Sequence, residues 1–498
     1  MSLAKRVDEQ TPATRDRYLD LLRVASILVV VLGHWMARVL TAANGADGEG
    51  GTGGMGGAGG TGGTGGMGGT GGMGGMGGAR SDAGDVAVDG ALGAGDAVAE
   101  GYILAVIPVT QWATLLFNVM PIFFLVGGAL NAPSWRRARE KGETAADWLR
   151  RRSRRLLRPL LPLLALWLTI SVVLGAGVGE DAMVLEPDSA LIPIWFLAAY
   201  LVVTALTPVT LRLHEWAGGL WLLATCAVAA IAVDLLRFGP LADTLTIEGQ
   251  PAIGALNYLT VYVLLHQLGY LWADDRLPRR AWQQLAVGLV GAAALVVMIG
   301  LGPYPLTMVP IAGTELPNNL TPPSAALVAL GLCQLAVALL ARERVTSWLQ
   351  EPRVWTAVAL PGGRLMTIYL WHQTAMLAVA NATILTGVWP LPTGVDGSWW
   401  ATRPLWLLLC AATLGVLVAA VGRFESPPPP RPAGLAPRPA AALAGVGVAL
   451  SAGGVGWLVV AGITDPAMPL GLPLPALVPL ALGLVALGVV GDRLTAER

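Results

Sequence analysis

The sequence is cut into blocks of about 20 mostly apolar residues, the length a helix needs to cross the hydrocarbon core of a bilayer. Such blocks lie at roughly 18–40, 112–132, 159–178, 190–211, 218–236, 252–272, 281–302, 322–341, 365–388 and 404–422, and after a break at 439–463 and 468–491. Only 13% of the 498 residues are charged, about half the share found in soluble globular proteins. That excludes an ordinary soluble enzyme, and a hydrophobic content of 54% excludes a disordered chain. No stretch alternates polar and apolar residues, so a membrane barrel is not expected. The first block leads into no small-residue cleavage site and carries ionisable residues, so it reads as a span and not as a signal peptide. The expected fold is an all-α polytopic membrane protein with a ten-helix core and two further C-terminal transmembrane helices.

Orientation follows from the basic residues, which concentrate in cytoplasmic loops. With the N-terminus inside, 27 of the 32 Lys and Arg residues fall on the inner side, ten of them in residues 133–158. The remaining five are Arg23, Arg38, Arg80, Arg237 and Arg403. Twelve spans then place both termini in the cytoplasm, and the expected location is the plasma membrane. Lys plus Arg equals Asp plus Glu, so no global charge points to nucleic acid. Cys226, Cys333 and Cys410 are an odd number set in apolar stretches, which argues against a disulfide framework or a zinc site.

The expected organisation is a cytoplasmic tail over 1–16, a ten-helix membrane domain over 17–424, a Pro-rich linker over 425–438 and a two-helix hairpin over 439–498. A Gly-rich insert over 45–79 lies on the outer side after the first helix. Within it, residues 50–79 repeat Gly-Gly-X triplets without proline, a composition that favours a flexible linker over a triple helix. Its methionines (Met55, Met67, Met73, Met76) are soft ligand types for Cu(I), but repeat expansion in a tolerant loop is the better reading of them. The last two helices hold almost no polar residue and read as an anchor or packing hairpin.

Ionisable side chains inside a membrane are costly, and each is a functional candidate. The first helix holds most of them: Arg17-Tyr18-Leu19-Asp20-Leu21-Leu22-Arg23, then an apolar run to Gly33-His34-Trp35. Asp20 and Arg23, three residues apart, are placed to pair. Arg23 and His34, eleven apart, share a face about 16 Å apart along the helix. A second cluster is Arg150-Arg151-Arg152-Ser153-Arg154-Arg155-Leu156-Leu157-Arg158-Pro159. It suits a positive-inside anchor on anionic headgroups and equally a polyphosphate ligand, which the guanidinium fork recognises. His266 and His372 lie within later helices as core or functional histidines, whereas His214 is expected in a short solvated inner loop. No Walker loop, zinc-protease motif or nucleophile elbow is present.

Five segments together resemble the acyltransferase-3 family of integral-membrane acyltransferases. They are Arg17 to Arg23 with the distant His34, Phe123-Phe124-Leu125-Val126-Gly127-Gly128, Arg152-x-x-Arg155-Leu156-x-x-Pro159, Trp195-Phe196-Leu197, and Ile368-Tyr369-Leu370-Trp371-His372. The resemblance covers roughly residues 17–424. Gly127 departs from the commoner Phe-Phe-x-x-Ser-Gly form. The resemblance implies O-acylation, often O-acetylation: transfer of an acyl group from acyl-CoA to a hydroxyl on an extracytoplasmic or membrane-bound glycan, lipid or small molecule, commonly in the cell envelope. It implies acyl-CoA as co-substrate with no tightly bound cofactor, membrane lipid as surroundings, and neither metal nor nucleic acid. It maps the family's essential histidine and first-helix arginine onto His34 and Arg23, and its cytoplasmic Arg-x-x-Arg onto Arg152 and Arg155. The expected catalytic set is His34, Asp20, Arg23 and His372, with Asp20 fixing Arg23, and the expected donor-binding set is Arg151, Arg152 and Arg155. His34 would serve as base to the acceptor hydroxyl or accept the acyl group itself. The alternative from another class is a proton-coupled secondary transporter with His34, His266 and His372 as a relay. Against it, no internal repeat is visible and the charges concentrate in the first three helices.

Overall fold

The structure, a computed structural model, describes residues 2–12, 15–42, 86–87, 97–173, 187–242, 244–247, 250–311, 317–388, 391–425, 437–465 and 467–490. The Gly-rich tract with its methionines, Arg80 and the proline run at 426–436 lie outside the described residues. The helices in order are α1 (Leu3–Glu9), α2 (Arg17–Ala37), the single turns α3 (Ile103–Val106) and α4 (Thr114–Phe117), α5 (Met120–Glu140), α6 (Ala145–Leu157), α7 (Leu160–Val173), α8 (Ile194–Ala205) and α9 (Thr207–Ala217). They continue as α10 (Gly219–Arg237), α11 (Asn257–Ala273), α12 (Ala281–Gly300), α13 (Ala325–Trp348), α14 (Pro352–Gly362), α15 (Leu365–Thr386), α16 (Gly397–Val421), α17 (Pro437–Ala461) and α18 (Leu474–Ala486). The chain is an all-α multi-pass membrane protein.

Each of the twelve expected blocks contains a helix. Among the described residues, however, eight helices are long and apolar enough to cross a membrane alone, or nine if α6 and α7, bent by 44°, form one span. Three of the expected spans fall short for physical reasons. Helix α11 has 17 residues and α18 has 13, while α15 carries His372, Gln373 and Asn381 among its apolar residues. These polar groups are tolerated because α11 and α15 are buried among other helices, where hydrogen-bond partners replace water.

Helix α2 begins where the Asp16 carboxylate accepts the amides of Tyr18 and Leu19, both at 3.0 Å, as an N-cap residue does. It stops three residues earlier than the expected 40, because Arg38 is extended and opens strand β1 (Arg38–Ala42). That strand pairs antiparallel with β3 (Ala97–Tyr102), Arg38 opposite Tyr102, and β2 (Val86–Ala87) flanks β3. The sequence insert thus leaves and rejoins the bundle through a small sheet. Helix α5 starts at Met120 rather than 112, with Pro121 in its first turn, where a missing amide costs nothing.

The core is built around α5 and α11. A Cβ on Gly128 would lie 1.9 Å from the His266 carbonyl oxygen, and one on Gly269 would lie 2.0 Å from that of Leu125. The two backbones therefore touch, as small residues allow in membrane helix pairs. Helices α2, α8 and α13 pack around this pair, and α15 lies against α2. The C-terminal hairpin does not stand apart. Its α17 lies along α8 and α6, and its turn is tied to the core where Asp188 accepts the Ile463 amide at 2.8 Å.

Candidate active site

Two histidines from opposite ends of the sequence meet. His34 Nδ1 lies 2.8 Å from His372 Nε2, although 338 residues separate them. Three tryptophan and tyrosine bonds hold them there. The Trp35 indole donates to the His372 carbonyl and the Trp406 indole donates to the Trp35 carbonyl, each at 3.0 Å. The Tyr369 hydroxyl donates to the Pro193 carbonyl at 2.8 Å, anchoring α15 to the start of α8. His372 is fully buried, whereas His34 is half-buried.

Hydrogen-bond chemistry assigns the protons of this pair. His372 Nδ1 is 2.5 Å from the Tyr369 carbonyl, which only accepts, so Nδ1 carries the hydrogen. The neutral ring then offers Nε2 as an acceptor, and His34 must supply the proton from its Nδ1. That leaves the lone pair of His34 on Nε2, on the less buried ring. A proton taken up there is shared with His372 behind it, and through His372 with a backbone carbonyl. The arrangement makes His34 a base or nucleophile with its tautomer set by a second group, the logic of a catalytic triad.

The helix carrying His372 is itself fixed at its start. Glu425 accepts the amides of Met366 and Thr367 at 3.0 and 3.2 Å and the Thr367 hydroxyl at 2.8 Å. Arg364 donates to the Gly422 carbonyl at 2.5 Å. An acidic residue on the first turn also complements the helix dipole.

At the arginine-rich end, Arg23 and Arg152 come within electrostatic range of each other and of Arg155, with Tyr200 among them. Nε of Arg23 and Nε of Arg152 are buried with no hydrogen-bond partner among the described residues. Arg152 also lies over the Trp148 ring, 5.6 Å from its centroid. Gly127 faces this group: a Cβ there would meet the Tyr200 hydroxyl at 3.0 Å. The departure from serine therefore makes room for a phenol at the arginine cluster. Buried unsatisfied donors each cost about 1–3 kcal/mol, and convergent guanidinium groups suit a phosphate.

Two expected placements are corrected, those of Asp20 and His214, and the surroundings of Arg151 and His266 are now defined. The Asp20 carboxylate pairs with Arg15 at 2.5 Å rather than with Arg23, whose terminal nitrogen reaches the Gly362 carbonyl at 3.4 Å. Arg15 can approach because it lies in the extended entry to α2, which an argument confined to helical spacing overlooks. Arg151 pairs with Glu143 at 2.5 Å and lines a separate cavity of about 310 Å³ with Arg137 and Lys141. His214 is not solvated: it is buried on α9, 2.9 Å from the Asp274 carboxylate and hydrogen-bonded to Gln267. His266 accepts from the Asn131 amide at 3.1 Å, so it does not extend the His34–His372 pair into a three-histidine chain. Among the described residues, no group of three His, Cys, Asp or Glu side chains is placed to hold a metal.

Sequence reasoning found both histidines but not their contact, and it missed Tyr200, Tyr369 and Glu425. The bond from His372 to Tyr369 goes to a backbone carbonyl, invisible in side-chain identity. Glu425 sits directly before the proline run, where an acidic residue reads as solvated.

A family model described as an acyltransferase domain, that of the acyltransferase-3 family, matches residues 90–422. No curated protein and no solved structure matches the chain. The match includes α15 with His372 and α6 with its arginines, but not α2, which bears Asp20, Arg23 and His34. The tertiary structure joins the two parts, since α2 packs against α5, α14 and α15. With two thirds of its length matched, the chain belongs to the acyltransferase-3 family and is a multi-pass membrane acyltransferase.

Proposed function

We propose that the protein transfers an acyl group, acetyl in the first instance, from acyl-CoA to a hydroxyl of a glycan, lipid or small molecule at the outer side of the plasma membrane. The observation that carries this reading is the His34–His372 pair with its tautomer set by the Tyr369 carbonyl. His34 Nε2 acts as general base. It takes the proton of the acceptor hydroxyl as the oxygen attacks the thioester carbonyl carbon. The carbon–sulfur bond breaks, and the departing thiolate takes the proton back from His34, yielding the ester and free CoA. His372 holds the ring and disperses the charge of the transient imidazolium.

The donor enters from the arginine-rich end, taken as cytoplasmic together with both termini. Arg23, Arg152 and Arg155 grip the pyrophosphate, and Arg151 contributes charge from its position beside Glu143. The distance from Arg23 to His34, about 16 Å along α2, is spanned by the pantetheine arm. Asp20 acts indirectly, by holding Arg15 at the entrance.

Thiol release from acetyl-CoA by the purified protein in nanodiscs tests the proposal, with His34→Ala alongside. The wild type is expected to release CoA thiol, slowly to water and faster with an acceptor, while a folded His34→Ala variant is inactive. Near-wild-type release by that variant would sink the assignment of His34.

A further inference from the structure

A cavity stands at the arginine-rich end of the bundle, outside the histidine pair and outside the Arg152–Arg155 cluster. Its volume is about 560 Å³, and it is lined by Arg15, Asp16, Arg17, Arg342, Thr346 and Gln350. From this cavity, and resting on the acyl-CoA reading above, we infer that it receives the adenosine and 3′-phosphate of the donor, with Arg342 as the group that binds the 3′-phosphate.

The charges around the cavity are unequal in their commitments. Arg17 is held by Asp8 at 2.7 Å and by the Leu349 carbonyl at 3.0 Å. Asp16 is occupied in capping α2. Arg15 gives its Nε to Asp20, leaving its terminal nitrogens to the cavity. Arg342 lies over the Trp272 ring, 4.9 Å from the centroid, and has no carboxylate partner among the described residues. Stacking on an indole orients the guanidinium plane without consuming its donors. Thr346 and Gln350 follow Arg342 at i+4 and i+8, on the same face of α13 and its extension. They supply neutral hydrogen-bonding groups of the kind that an adenine or ribose edge requires.

Distance along α2 orders the three parts of the donor. His34, where the thioester reacts, is eleven residues from Arg23, about 16 Å along the helix, and Arg15 precedes the helix in the extended entry to it. Arg15 is within electrostatic range of Arg23, which is within range of Arg155. The basic track therefore runs from the cavity through Arg23 to the Arg152–Arg155 cluster. A molecule with a thioester at one end, a pyrophosphate in the middle and a phosphorylated nucleoside at the other has its charged groups in that sequence. The smaller cavity beside Arg151 is a poorer match, because Glu143 already neutralises that arginine.

The test compares KM for acetyl-CoA with KM for 3′-dephospho-acetyl-CoA, in phosphatidylcholine nanodiscs free of anionic headgroups. Wild type is expected to prefer the phosphorylated donor about tenfold, equivalent to 1.4 kcal/mol. In Arg342→Gln the ratio should fall towards one, and Arg342→Lys should restore part of it. A merely structural role for Arg342 would raise both KM values together and leave the ratio intact, which overturns the inference. A ratio that survives in Arg342→Gln but collapses in Arg151→Gln moves the phosphate to the other cavity and overturns it likewise. If wild type turns over acetyl-CoA without preferring it to the dephospho donor, only this subsite is wrong. If wild type neither binds nor turns over either donor, the acyl-CoA reading itself fails.

Discussion

At the scale of single residues, the proposed mechanism divides one task between His34 and His372. His34 presents the lone pair, and His372 sets where that lone pair lies. Removing His372 leaves the base in place but frees its tautomer and orientation, so His372→Ala should lower kcat by about 10²–10⁴-fold, the usual range for a positioned acid–base group. The KM for acetyl-CoA should change little, since His372 touches no arginine of the donor track. Steady-state thiol release over a donor series checks this. A raised KM with kcat preserved would show that His372 shapes the donor site and not the base. Gly127 is a residue-scale feature of another kind: the missing side chain is what admits Tyr200 to the arginine cluster.

At the scale of elements, polar bonds lock helices together where apolar packing gives no register. The clearest case outside the membrane is the junction of α5, α9 and α11. Arg136 bonds Asp274 at 2.5 Å and Glu215 at 3.0 Å, and His214 bonds Asp274 at 2.9 Å. Burial alone would raise the Asp274 carboxyl, but the hydrogen bonds from Arg136 and His214 outweigh it and hold the group below its ordinary range. A carboxyl depressed in the folded state contributes stability that is present above its unfolded pKa of about 3.9 and is lost as pH falls through the folded value. Asp274→Asn should therefore destabilise the protein by about 1–2 kcal/mol at pH 7, and the gap from wild type should close below pH of about 4. Tryptophan-fluorescence melts in detergent at the two pH values measure this. A gap that widens on acidification would reverse the sign and refute the account. Arg136 also ties α5 to α9, so the same junction supports the helix that presents Gly127 to Tyr200.

At the scale of the whole molecule, α2 is placed against the matched domain by contacts at both of its ends, and the hairpin braces α6 and α8 from outside. The helix that carries the arginines is thus supported on one side by the core and on the other by α17. The distribution of Lys and Arg predicts both termini on the cytoplasmic side, so tags at residues 1 and 498 should be digested together in inside-out vesicles and be protected together in intact cells. Opposite protection of the two tags would require an odd number of crossings and a redrawn topology.

The blocks of apolar residues were legible in the sequence because a bilayer imposes a length and a polarity that composition records directly. So were the residues of the candidate site, because a histidine or arginine in such a block stands out against its neighbours. The boundaries of the polar helices were less legible. Helices α11 and α15 tolerate polar residues only because other helices cover them, and coverage is not a property of a segment. Partnerships were least legible of all. Asp20 took Arg15 from outside the helix rather than Arg23 within it, and His214 found Asp274 across 60 residues.

The sequence by itself determined that this chain is a helical membrane protein, where its basic residues concentrate, and which ionisable side chains lie within its apolar blocks. The membrane acts on each segment separately, and so each segment carries the answer. Only the tertiary structure decided that His34 faces His372, that a backbone carbonyl sets their protons, and that Arg15, Arg17 and Arg342 line one cavity. The histidine pair and the cavity join segments hundreds of residues apart, and a hydrogen bond exists only where packing brings both of its partners to the same place.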